Sequence, residues 1–280
     1  MFANLLLALV SSLAPAPQGA EFQVTLLANE GFFLQSEGQA VLIDAFIDEP
    51  YSNYGALHPD LASAILLRRA PFDQVTLALV SHAHPDHIQP KMAGKFLLRY
   101  PEAVLATSGE VIESVKLGFN RFDSVSDRIK KFWPEPKTSS AYVHNDVAVE
   151  FLRLPHGGAW PDTENLGHVI TVGTAKILHI GDADVDAEIF EPYNLPKREL
   201  DVALIPYWFF QTDEGLAILT EHVQAKQYIA CHIPPAEGPR HKKRLPKKLA
   251  NTQVLDPMET VVFRAAAARR EIPHPEGAPR

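Results

Sequence analysis

The chain has 280 residues, 46% of them hydrophobic, and a formal net charge of −8. That composition supports a packed core and excludes an intrinsically disordered chain, and the length allows one large domain or two small ones. The acidic balance argues against a stable nucleic-acid complex or a general anionic-membrane binder, since either would favour a basic surface. The single cysteine, Cys231, excludes an internal disulfide framework and a thiolate-rich zinc site. Twelve histidines point to imidazole chemistry wherever metal chemistry occurs.

Residues 1–20 open with the apolar run MFANLLLALV, followed by small residues and prolines. The run is too short to span a bilayer and reads as a secretory signal segment, which would make the mature protein periplasmic or secreted. No Lys or Arg precedes it, so a frayed apolar N-terminus on a cytoplasmic protein is the alternative. From Glu21 the pattern turns to period two. FQVTLLA, GFFLQS and AVLIDAF form a predicted antiparallel meander. A polar loop over 51–60 and a helix over 61–69 precede VTLALVS, which is apolar enough to be a buried strand. A helix within 90–100 and the strand AVLAT follow, and Glu110 to Trp133 is expected to be a helical excursion over the surface.

In the second half AYVHND and VAVEFLRL pair as a hairpin, and HVITVGTAKILHIGD makes two strands around Gly173. DVALIPY, QYIACHI and TVVFRA are further strands, with a helix expected over 216–226. Residues 266–280 are rich in Ala, Arg and Pro and are expected to be a flexible tail. No later stretch is long and apolar enough for a transmembrane helix. Two sheets packed face to face with helices outside satisfy this order, although pattern alone does not select that architecture among mixed α/β folds.

The most informative segment is Ser81-His-Ala-His-Pro-Asp-His87, at the end of VTLALVS. In extended chain, positions 82, 84 and 86 point to one side, and a turn at Pro85 brings His87 beside them. Four donors within six residues, all imidazole or carboxylate, form a set that zinc and similar divalent ions accept.

HAHPDH resembles the H-x-H-x-D-H signature of the metallo-β-lactamase superfamily. Further landmarks follow in the family's order: Asp44 in VLIDAF, His156 in LRLPHGG, Asp182 in ILHIGDAD and His232 in YIACHIPP. The resemblance implies an α/β fold, a four-layer αββα sandwich, over one hydrolase domain at residues 21–265. It implies two divalent ions, Zn2+ first, with Mn2+ or Fe2+ also accepted. His82, His84 and His156 would bind the first ion and Asp86, His87 and His232 the second. Asp182 would bridge them, and Asp44 would orient a ligand histidine. A hydroxide shared by the ions would attack an ester, lactone, amide or phosphodiester, with Asp86 orienting it and relaying a proton.

Asp182 and the position of Cys231 argue against a β-lactamase proper. His84, where flavodiiron members carry glutamate, argues against di-iron redox chemistry. A metal-binding sensor or scaffold without turnover is the reading from another class. Trp208 and Tyr207, after DVALIP, are candidate substrate-binding residues for a small-molecule or lipid-like substrate. Cys231 is expected to face away from the metals, His179 and His168 to be core histidines, and His58 to lie in a loop. The basic run Arg240–Lys248 is expected to be a solvated face. Oligomeric state is not legible.

Overall fold

The structure, a computed structural model, describes residues 20–265. The expected signal segment, apart from Ala20, and the C-terminal tail lie outside the described residues. In chain order the elements are β1 (Glu21–Ala28), β2 (Gly31–Ser36), β3 (Gln39–Ile43), α1 (Pro59–Leu66), β4 (Val75–Leu79), α2 (Pro90–Arg99), β5 (Val104–Thr107), α3 (Gly109–Gly118) and β6 (Ile129–Lys131). Then come β7 (Ser139–His144), β8 (Val147–Arg153), β9 (Leu166–Val172), β10 (Ala175–His179), α4 (Ala187–Phe190), β11 (Val202–Pro206) and α5 (Asp213–Ala217). The last are β12 (Gln227–Cys231), α6 (Gly238–Arg244), β13 (Thr252–Val254) and β14 (Thr260–Arg264).

Two seven-stranded mixed sheets result, ordered β14-β1-β2-β3-β4-β5-β6 and β13-β12-β11-β10-β9-β8-β7. The meander β1–β3 is antiparallel, as its short turns require, while β3 through β6 run parallel. On one side of β3 and β4, Val41, Ile43, Leu77 and Leu79 enter the core between the sheets with Val149, Ile170, Ile177 and Leu204. On the other side Leu42, Ala78 and Val80 meet Met92, Phe96 and Val115 of α2 and α3. The outer face of the second sheet buries Leu178, Ala203 and Ile205 against Phe190, Phe209 and Leu219. Both faces of the central strands are therefore apolar, which explains their unbroken hydrophobic runs. Each fully buried Leu, Ile or Phe contributes roughly 1.5–3 kcal/mol through its burial. The result is the four-layer αββα sandwich.

One expected element differs. The helix expected over 110–133 stops at Gly118, and only 3-10 turns and the edge strand β6 follow. A Cβ at Gly118 would sit 2.6 Å from the Pro90 ring, so α3 ends tight against the start of α2. Ile129 then pairs with Leu105, and that strand pairing overrides the amphipathic pattern. The unassigned stretch after His232 forms α6 and β13.

The topology collects chemistry at one edge. β8 and β10 both run antiparallel to β9, so their C-terminal ends lie together with those of β11 and β12. The C-terminal ends of β3 and β4 meet this edge from the other sheet, where Leu166 N donates to Ser81 O and His232 N to Asn29 O.

Candidate metal centre

Every predicted ligand follows the C-terminal end of a strand: β4 for residues 82–87, β8 for His156, β10 for Asp182 and β12 for His232. Asp44 and His232 have positive φ, 42° and 58°, so the chain turns as soon as each strand stops. Such backbone is costly for a non-glycine residue and persists only where its surroundings hold it. Gly181, at φ 52°, precedes Asp182 in the same way; a Cβ there would fall 2.3 Å from Asn165 Oδ1. Asn165 Oδ1 in turn accepts from Asp182 N at 3.1 Å, which sets the approach of that carboxylate.

The structure brings all seven expected ligands together. Donor atoms of His82, His84, His156 and Asp182 lie within 4.8 Å of one another, as do those of a second group, Glu30, His87, Asp182 and His232. Asp182 is common to both. Its Oδ2 is 3.8 Å from His82 Nε2 and 3.5 Å from His156 Nε2, and its Oδ1 is 3.4 Å from His87 Nε2 and 3.3 Å from His232 Nε2. Asp86 faces the second group, with Oδ2 3.1 Å from His232 Nε2 and 3.9 Å from His87 Nε2.

The far nitrogens of three imidazoles are occupied. Asp44 Oδ2 lies 2.8 Å from His87 Nδ1 and accepts the Ser81 hydroxyl at 2.5 Å, while Asp44 Oδ1 accepts Ser81 N at 2.7 Å. With its proton given to Asp44, Ser81 Oγ can accept from His82 Nδ1 at 3.0 Å. His156 Nδ1 sits 2.7 Å from Gly157 O. These contacts fix the tautomers and aim the three Nε2 lone pairs inward, as metal-ligating histidines require. Among the described residues His156 Nε2 and Asp182 Oδ1 are buried without a hydrogen-bond partner. Convergent imidazoles, a shared carboxylate and such orphaned atoms fit divalent cations.

The electrostatics separate the two groups. Burial, reinforced by His87, holds His82 well below the usual imidazole range, and burial with His156 lowers His84. Burial opposes the charge on His87 and His232, but Asp182, helped by Asp44 at one and Asp86 at the other, outweighs it and raises both well above the usual range. Burial pushes Asp182 up, yet His232 and His87 prevail and leave it well below the carboxylate range. Burial pushes Asp44 up too, but His87, His179 and Ser81 together outweigh it and leave Asp44 lowered.

A cavity of about 450 Å³ opens onto these groups, lined by Tyr51, Tyr54, His84, Asp86, Trp160, Asp184, Trp208 and their neighbours. Trp208 packs edge-on to the His232 ring at 5.1 Å, Tyr54 to the same ring at 4.3 Å, and Trp160 to His84 at 5.6 Å. Tyr207 does not line the cavity: the 3-10 turn Tyr207–Phe210 sends its ring between Trp208 and His241.

Cys231 points into the core between the sheets. His179 is buried, with Nε2 3.2 Å from Glu30 Oε1 and 3.8 Å from Asp44 Oδ2. His168 is buried between Phe151 and His179, and burial drops it to about 3. His58 caps α1 by accepting from Asp60 N, and the basic run lies on α6 and the turn after it, away from the cavity. Sequence reasoning missed Ser81 as a hydrogen-bond hub, Glu30, and the aromatics Tyr54 and Trp160. Ser81 had a signal in its place directly before the motif. Glu30 had none, because a charged residue before Gly31 reads as an exposed turn.

Residues 39–245 match the family model described as Beta-lactamase superfamily domain, well over half of the chain. The chain belongs to that family. Solved structures with the same fold include a metallo hydrolase from the archaeon Ignicoccus hospitalis, with TM-score 0.62 and 19% identity over 88% of this chain and 100% of that one. An isothiocyanate hydrolase from Delia radicum gut bacteria gives TM-score 0.57 and 14% identity over 87% and 100% of the two chains. Human tRNase Z, short form, gives 0.56 and 12% over 85% and 98%. Fold family and cluster together define a metal-dependent hydrolase in general. A curated relative, described as a putative Rieske 2Fe-2S iron-sulfur protein of Mycolicibacterium smegmatis, is 25% identical over 191 residues, 66% of this chain. The chain spans 34% of that relative's length. A Rieske cluster needs two cysteines and two histidines, and this chain has one cysteine.

Proposed function

We propose that this protein is a dinuclear metal-dependent hydrolase whose substrate is a small, uncharged molecule with an apolar or aromatic part. The observation that carries the two-ion reading is Asp182, whose two oxygens face two different sets of imidazoles. His82, His84 and His156 would hold one ion, His87, His232 and Asp86 the other, and Asp182 would join both. When bound, such ions lower the pKa of water to about 7 and stabilise developing negative charge.

The chain's own residues do the rest. Asp86, beside His232 at the cavity floor, is placed to orient the attacking water and to carry a proton to the departing group. Trp208, Tyr54, Trp160 and Tyr51 offer aromatic faces to an acyl chain or ring. Among the described residues the lining contains no Lys or Arg, and Asp184 adds a carboxylate near the mouth. A polyanionic substrate would meet no cation there besides the metals, which favours a neutral lactone, ester or similar electrophile over a phosphodiester. One fold neighbour is named for hydrolysing an isothiocyanate, so that class belongs in the panel.

The test is turnover of aryl esters, lactones, aryl isothiocyanates and bis-nitrophenyl phosphate by protein loaded with zinc, manganese or iron. Cleavage of a neutral substrate at least tenfold faster than the phosphodiester is expected. Preference for the phosphodiester would overturn the substrate class. Silence on every substrate by protein shown to bind metal would favour the sensor reading.

A further inference from the structure

The hairpin turn between β1 and β2 places a carboxylate where none is expected. Glu30 is 0% exposed, directly beneath the second group of donors, and absent from the cavity lining. Its carboxylate lies within 4.8 Å of donor atoms of His87, Asp182 and His232. Among the described residues neither oxygen has an aligned hydrogen-bond partner, although the Cys231 thiol and His179 adjoin it. His179 Nε2, 3.2 Å away and off the hydrogen-bond line, offers the carboxylate one cation: burial lowers His179, but Glu30 outweighs it and raises it. Burying a carboxylate without aligned donors is expensive, and natural proteins keep one by setting a cation against it or by protonating it. The backbone is committed to this placement: a Cβ at the next residue, Gly31, would lie 2.7 Å from Asp44 O, so the turn is pressed against the strand end that carries Asp44.

We infer that Glu30 is an additional ligand of the second metal ion, closing its coordination from the core side while Asp86 approaches from the cavity. This rests on the two-ion reading above. Two imidazoles and three carboxylates, Glu30, Asp86 and Asp182, then face that ion. Such an oxygen-rich set suits a five- or six-coordinate ion such as manganese or iron better than tetrahedral zinc. With Asp44, the buried carboxylates at the edge number four.

The test is metal binding by the full chain, followed by titration and elemental analysis rather than by turnover. Wild type is expected to take up two ions. Glu30→Gln should keep the first and bind the second about 100-fold more weakly or worse, the scale on which even outer partners of a metal site act. His179→Gln should keep both, because His179 only neighbours the carboxylate. Two ions bound at unchanged affinity by Glu30→Gln would overturn the assignment. So would loss of the second ion from both variants, which would make Glu30 a positioning residue acting through His179. Uptake of a single ion by wild type would sink the two-ion reading and this inference with it. Should Glu30→Gln fail to fold, Glu30→Asp decides: drawing the carboxylate back by one methylene should weaken the second ion by about tenfold or more and leave the first unchanged, and unchanged affinity for both ions refutes the assignment.

Discussion

The two groups of donors at the strand ends share Asp182 and little else. The first is made of three imidazoles, with His84 and His156 beside the open cavity. The second also reaches the cavity, through Asp86 and His232, and sets two imidazoles among Glu30, Asp86 and Asp182, with Asp44 behind His87. Burial favours neutral His82 and His84 in the first, whereas the carboxylates of the second favour protonated His87 and His232. A cation meets lone pairs in one place and must displace protons in the other. Two sites only ångströms apart thus differ in what filling them costs.

Removing what the groups share should have the largest effect. Asp182→Asn is expected to weaken both ions and to lower kcat/KM by about 100-fold or more, read by elemental analysis alongside steady-state kinetics. Loss of only one ion would show that the carboxylate does not bridge.

Asp44→Asn should separate the groups. Asp44 touches His87 and, through Ser81, His82. Its loss should weaken the second ion by about 10- to 100-fold and the first by less, measured by competition with a chelating dye. Equal losses would mean that the Ser81 relay matters as much as the direct contact.

The comparison also has a sign in pH. In metal-free protein, the raised His87 and His232 contribute stability at low pH that fades as pH rises through their shifted values. A ligand histidine must be neutral, so affinity for the second ion should climb with pH and its binding should release protons. His82 and His84, already lowered, should make the first ion's affinity climb less steeply with pH than the second's. Calorimetry in two buffers of different ionisation enthalpy counts the protons; equal release for both ions would erase the distinction.

The smallest effect is expected at the cavity wall. Trp160 is 60% exposed and packs on His84 of the first group, while Trp208 packs on His232 of the second. Alanine at either should raise KM about two- to tenfold with kcat nearly unchanged, the scale of one aromatic contact. A fall in kcat with KM unchanged would give the ring a part in the chemistry instead.

How much of this was legible differs between the two sheets. The first sheet's ligands sit in one run, HAHPDH, where local spacing alone implies convergence. His156, Asp182 and His232 lie far apart in the chain and were found through the order of family landmarks, because their meeting depends on sheet pairing. Glu30 and Trp160 escaped both routes. Polarity patterns say that a turn carries a charge or a large ring, but not that a neighbouring strand end will cover the one and leave the other at a cavity mouth. The strands fared well because both faces of β3, β4, β10 and β11 are buried, which writes itself as continuous apolar sequence. Residues 110–133 fared worse, since β6 is held by one neighbour, β5, rather than by its own composition.

The contacts Leu166 N to Ser81 O and His232 N to Asn29 O cross from one sheet to the other at the same rim where the donors gather. Cations lodged there would rivet the sandwich shut along its open seam. Catalytic competence and mechanical closure of this fold would then be one property, so that any chelator strong enough to silence the protein would also loosen the hem that keeps its two halves in register.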